Sequence, residues 1–139
     1  MFQDRDQMRM FYSQVFLKHL NQQPLEPMEQ MLLDVILMHP EYHEMLKDPA
    51  AAARLEYGID GGQTNPFLHM GMHIAIREQV SIDRPAGIAE AYRELVSRHG
   101  ESEAEHRIMD CLGEMLWRSQ RENRPPDEQQ YLECVRKLL

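Results

Sequence analysis

The stretch Asn65-Pro66-Phe67-Leu68-His69-Met70-Gly71-Met72-His73-Ile74-Ala75-Ile76-Arg77-Glu78-Gln79-Val80-Ser81 decides the fold. It opens on a capping residue followed by proline. The Asn side chain can accept from the unpaired N–H groups of a first helical turn, and proline at the first helical position forfeits no hydrogen bond. With successive residues 100° apart, Phe67 and Ile74 fall on one side and Leu68 and Met72 on another, while Met70, Ile76 and Val80 fill much of the rest. A helix apolar nearly all round belongs in the middle of a bundle, so the stretch predicts a central apolar helix over residues 66–81. Yet His69 and His73, four residues apart, stack on one face near its N-terminus, and Ile76 and Val80 continue that stripe. Two imidazoles are being buried together.

The flanking sequence is helical in the same way. β-Branched residues are few and never alternate cleanly with polar ones, whereas helix formers and helix punctuation recur throughout. Upstream, a helix is expected from Asp4 to Leu20, started by Asp4 with Gln7 and carrying Met8, Phe11, Tyr12, Val15 and Phe16 inward. A second begins at Pro27 and presents Met28, Met31, Leu32, Val35, Ile36 and Met38 before Pro40 interrupts it; Pro40 to Leu46 reads as a further turn or short helix. Asp48 to Asn65 is the long connection, within which Ala50 to Leu55 can close into a short helix. Downstream, Asp83-Arg84-Pro85 restarts the chain as a helix ending at Gly100. Ser102 with Glu105 has capping-box spacing and opens a helix through Glu122; Pro125-Pro126 stops it, and Asp127 begins a short last helix. The expectation is an all-α fold, a compact bundle of about five to six helices in a single domain spanning residues 1–139.

Composition narrows the function classes. A chain of 139 residues can bury a core without disulfides or a structural metal, so a metal would be present for function. The net charge of −8 disfavours a surface for phosphate backbones, and no nucleic-acid partner is expected. No apolar run approaches the ~18 residues of a membrane span, and the start MFQDRDQMRMFY is too acidic for a signal peptide, so a soluble, cytoplasmic protein with no membrane partner is expected. Cys111 and Cys134 form no C-x-x-C and are expected as buried or free thiols in a reducing compartment. Trp117 and the methionines at 28, 31, 38, 70, 72, 109 and 115 sit at helical spacings and are expected to pack the core.

Two histidines at i and i+4 can present ring nitrogens to one ion, because their Cβ atoms lie about 6 Å apart and lean the same way. His39 and His43 repeat the spacing in His39-Pro40-Glu41-Tyr42-His43, with a proline between them. Glu105-His106 supplies a carboxylate and a further imidazole, with Asp110 and Glu114 at steps of four, and Glu103-x-x-His106 has the ligand spacing of carboxylate-bridged bundles. Candidate metal ligands are therefore His69, His73, His106, Glu105, His39 and His43, for a divalent transition metal such as Zn or Fe. Each has a structural reading. His69 and His73 can be neutral core histidines, His39 can end a helix, Glu105 can cap Ser102, and the Asp110–Glu114 stripe can be a solvated face. No H-E-x-x-H, G-x-S-x-G or phosphate-loop motif is present, and catalytic residues are not assigned.

The segment Asn65 to Gln79, with Asp83-Arg84-Pro85-Ala86-Gly87, resembles an uncharacterised proteobacterial family catalogued as domain of unknown function eighteen-forty-one. The likeness extends to His39-Pro40-Glu41-Tyr42-His43 and to Ala104 through Glu114, and so over nearly the whole chain. The resemblance implies a bacterial, single-domain cytoplasmic protein and imports no activity.

Two functions remain open at this point. One is a metal-binding bundle with a His/carboxylate site between helices. The other is a metal-free protein-interaction or homo-oligomerisation module, suggested by the acidic surface, the long connection and the abundant Met, in which the histidines are structural.

Overall fold

The computed structural model describes residues 5–54 and 65–139, and every regular element among them is helical. Asp4, expected as the first cap, and residues 55–64 of the long connection lie outside the described residues. The helices are α1 (Arg5–Leu20), α2 (Pro27–Leu37), α3 (His43–Leu46), α4 (Pro49–Arg54), α5 (Pro66–Ile82), α6 (Ile88–His99), α7 (Glu101–Glu122) and α8 (Glu128–Arg136), with a 3₁₀ turn at Pro40–Tyr42. The all-α expectation holds. Among the described residues the count of five to six rises to eight because two short pieces, α3 and α4, close up in segments whose proline punctuation also permits turns.

The chain divides into two compact units, Met1–Gly71 and Met72–Leu139, with the division falling inside α5. In the first unit, α1 packs on α2, α3 and α4. Its core holds Tyr12, Val15 and Phe16 of α1, Leu32, Leu33, Val35 and Ile36 of α2, Leu46, Ala52 and Ala53, and Phe67 and Met70 of α5. Tyr12 meets Phe67 edge-on at 5.6 Å, the arrangement that ring quadrupoles favour. Arg9 is 2% exposed, its guanidinium lying 4.9 Å from the Phe67 ring centre with Nη1 directed at the Ala53 carbonyl. A charge inside this face was not foreseen from the apolar spacing of α1. Ser13 donates from Oγ to the Leu46 carbonyl, which ties α1 to the end of α3.

In the second unit, α6, α7 and α8 pack on one another. Ile76, Ile88, Leu95, Ile108, Met109, Leu112, Tyr131, Leu132 and Val135 are the bulk of the core. Helix α6 ends at His99 and α7 begins at Glu101, so the whole reversal rests on Gly100, whose φ of 86° and ψ of 165° suit only glycine. Asp83-Arg84-Pro85, expected to begin a helix, instead forms a turn in which Asp83 Oδ1 accepts from the Gly87 and Ala89 amides, so α6 starts at Ile88, and α7 starts at Glu101 rather than after Ser102; two other expected caps are realised. Asn65 Oδ1 accepts from the Phe67 and Leu68 amides at 2.9 and 3.3 Å, and Asp127 accepts from the Gln130 amide at 3.1 Å.

Three expectations need correction. Helix α5 buries one stripe, Phe67, Met70, His73 and Ile76, and leaves Leu68 60% and Ile82 69% exposed, so its all-round hydrophobicity overstates its burial. Trp117 and Met28 are 56% and 48% exposed and lie outside the core, because helical spacing fixes relative faces and not which face a neighbour covers. Cys111 and Cys134 are not free thiols: α8 lies along α7 with the two Cα atoms 5.7 Å apart, and the sulfurs are bonded. Among the described residues no helix is long and apolar enough to cross a membrane.

Candidate metal centre

The second unit builds a buried polar knot around Glu105. This residue sits on the inward face of α7 beside Ala104, Ile108 and Leu112, and it is 0% exposed. An isolated carboxylate there would be costly. It is instead surrounded by donors. His73 Nδ1 of α5 donates to Oε1 at 2.7 Å, Tyr92 Oη of α6 donates to Oε2 at 2.6 Å, and Arg77 Nε donates to both oxygens at 3.2 and 3.1 Å. Arg77 also pairs through Nη2 with Glu101, one turn before Glu105, at 2.6 Å.

The electrostatics follow from that count. Burial pushes the Glu105 carboxyl up, but the hydrogen bonds from His73 and Tyr92 and the Arg77 charge outweigh it and hold the group below its ordinary value. Glu105 is therefore ionised at neutral pH. Tyr92 moves the other way: burial, then its bond to Glu105 and the neighbouring negative charges, raise it well above the ordinary phenol value, so it remains a donor. An ionised carboxylate only accepts, so Nδ1 of His73 carries a proton toward Glu105 and Nε2 is the ring nitrogen turned away from it. His106, next to Glu105 on α7, meets the His73 ring edge-on at 4.9 Å.

The first unit holds a second histidine pair. His39 follows α2, just before the 3₁₀ turn, and is 4% exposed; its Nδ1 donates to the Val35 carbonyl at 2.8 Å, which leaves Nε2 as its other ring nitrogen. Its ring stacks on Tyr42 at 5.2 Å and meets His69 of α5 edge-on at 4.8 Å. His69 and His73 occupy successive turns of one unbroken helix, so they share a face.

The other sequence candidates divide by contact. His43 points elsewhere: its Nε2 donates to the Ile36 carbonyl at 2.8 Å and its ring lies 4.7 Å from Phe16. Glu105 does not cap Ser102, since α7 starts at Glu101 and the carboxylate is fully engaged inward. Glu103 pairs with Arg107 and Glu114 with Arg118 on the solvated face, and Asp110 is exposed there too. Sequence reasoning missed Arg77 and Tyr92. Arg77 follows His73 by four, and Glu101 precedes Glu105 by four, so both stripes were legible; which helix met which was not.

The chain belongs to the family described as Domain of unknown function (DUF1841), whose model matches residues 4–137. No curated protein and no solved structure matches the chain.

Proposed function

We propose that His39, His69, His73 and His106 hold a divalent transition metal, with Zn or Fe the first candidates. The observation that carries the reading is the grouping itself: one ligand nitrogen from each of the four lies within 4.8 Å of the others. Nitrogens around a tetrahedral Zn, at about 2.0–2.1 Å from it, are about 3.3 Å apart, so in this reading the rings draw closer as the shell forms. The surroundings support it as well. Glu105 on His73 Nδ1 and the Val35 carbonyl on His39 Nδ1 are the partners that orient ligating imidazoles and fix their tautomer.

In this reading Glu105 is the orienting carboxylate and not a ligand, because His73, Arg77 and Tyr92 occupy its oxygens. His43 stands outside the ligand set. Four imidazoles close a tetrahedral Zn shell, which suits a structural or carrier role; a six-coordinate Fe would keep positions open for water or oxygen. The ligands are neutral, so Glu105 supplies the compensating negative charge.

The test is metal analysis of protein purified without a histidine tag, with thermal unfolding after Zn, Fe, Mn or Ni is added to chelator-stripped chain. The reading expects stoichiometric metal and a rise in midpoint that His73→Ala and His106→Ala remove and His43→Ala retains. Absence of both stoichiometric metal and any midpoint rise refutes it. The metal-free interaction reading rests on Leu116 and Trp117, adjacent on α7 and 41% and 56% exposed. It expects concentration-dependent self-association or partner binding that Trp117→Ser weakens, with the histidine variants behaving as ordinary core substitutions.

A further inference from the structure

We propose that Cys111–Cys134 is an exchangeable disulfide, opened in the folded protein by a small zwitterionic thiol seated in the groove between α7 and α8. The groove is open to solvent, encloses about 720 Å³, and has both cysteines in its wall. That space accommodates a tripeptide-sized molecule. Its charged lining is mixed: Glu114 and Arg118 pair with each other at 2.8 Å, while Arg124 and Lys137 offer cations to a carboxylate and Glu122 and Glu133 offer carboxylates to an ammonium group. A thiol carrying both groups is the occupant whose charges this lining complements.

The two sulfurs are not equivalent. Cys111 is 3% exposed and belongs to the core of the second unit, whereas Cys134 is only half-buried and packs against the outside of that core. Thiol–disulfide exchange requires the thiolate to approach a sulfur from solvent, so Cys134 is the sulfur attacked and Cys111 the one that leaves. The incoming thiolate forms a bond to Cys134 Sγ as the Cys111–Cys134 bond breaks, and the electron pair departs on Cys111 Sγ, which takes a proton from water. A second thiolate then attacks the mixed disulfide, releasing the low-mass disulfide and leaving the Cys134 thiol. Two thiols are oxidised and one disulfide is reduced.

The fold tolerates the opening. Tyr131, Leu132 and Val135 anchor α8 in the core, and Tyr131 Oη donates to Gln79 of α5 at 2.6 Å, so α8 stays docked when the bond is cut. A disulfide in an open groove, whose loss leaves its helix anchored, suits reversible exchange better than permanent bracing.

Full-length protein purified in air is treated with reduced glutathione without denaturant, followed by thiol titration, intact mass and peptide mapping. The expected result is release of both thiols with retained helical circular dichroism, at a rate within about tenfold of that in denaturant. Cys111→Ser should take up one glutathione on Cys134 from oxidised glutathione, whereas Cys134→Ser should leave Cys111 unmodified until denatured. The proposal is overturned by thiols that appear only in denaturant, by an adduct on Cys111, or by air-purified wild type whose two thiols stay unpaired under mild oxidation. Reduction by a dithiol protein with no reaction toward glutathione also overturns it. The wild-type titration decides the matter even where a variant fails to fold.

Discussion

Replacing Glu105 by glutamine keeps the side chain's shape and removes its charge, and the geometry fixes what that should cost. The wild-type carboxylate accepts from His73, Tyr92 and Arg77 at 0% exposure. Because Arg77 Nε reaches both oxygens, the amide NH₂ confronts that donor whichever way the glutamine turns. One charge-assisted contact is thus lost outright and the remaining ones fall to neutral strength, a loss of about 1 kcal/mol each on top of about 1–3 kcal/mol for the unsatisfied buried group. The total, about 3–5 kcal/mol, matches the usual cost of breaking a buried ion pair. For a chain of this length that lowers the unfolding midpoint by roughly 10–20 °C. The assay is thermal unfolding followed by circular dichroism on chelator-stripped protein, so that metal plays no part. Glu103→Gln, on the solvated face of the same helix, is the control and should stay within about 0.5 kcal/mol of wild type. A Glu105→Gln midpoint within about 2 °C of wild type would refute the argument that this carboxylate organises the second unit.

The same site sets a pH dependence. The folded Glu105 carboxyl is depressed below its ordinary value of 4.5, so its contribution is fully present above that value and is lost as pH falls through the lower folded value. Wild-type stability should therefore drop more steeply than that of Glu105→Gln below about pH 4.5, and parallel curves would contradict the assignment. Cutting Cys111–Cys134, whose partners are 23 residues apart, should lower stability by about 3 kcal/mol on the chain-entropy account, read as a lower urea midpoint in reductant with far-ultraviolet dichroism unchanged before the transition. Asn65→Ala removes the side-chain acceptor for two first-turn amides and should cost about 1 kcal/mol, measured by chemical denaturation; no change would show that the cap is redundant.

Much of the fold was legible because helix starts and stops are local. Asn65-Pro66, Gly100 and Asp127 act through backbone groups within a few residues of themselves, and each marks a boundary where its chemistry says it should. Local signals fared worse for Trp117 and Met28. Periodicity told which residues share a face with them but not whether a neighbouring helix covers that face. Glu105 is the sharpest case: its spacing from Ser102 fits a cap equally well, and only the position of α5 and α6 against α7 turns it inward onto His73, Arg77 and Tyr92.

By itself, then, the sequence determined the helical class, the principal helix starts, and the pairing of His69 with His73 on one face, all of which follow from a fixed 3.6-residue period and short-range hydrogen bonds. The tertiary structure decided which polar groups meet. Set against α5, α7 gives His73 the carboxylate of Glu105 and the ring of His106; in the first unit the end of α2 brings His39 to His69 and the Ile36 carbonyl diverts His43. The approach of α8 to α7 likewise joined two cysteines that their separation in the chain leaves apart. Contacts of this kind depend on the rotation and register of one helix against another, which are set by how apolar surfaces pack and carry no marker in the local sequence.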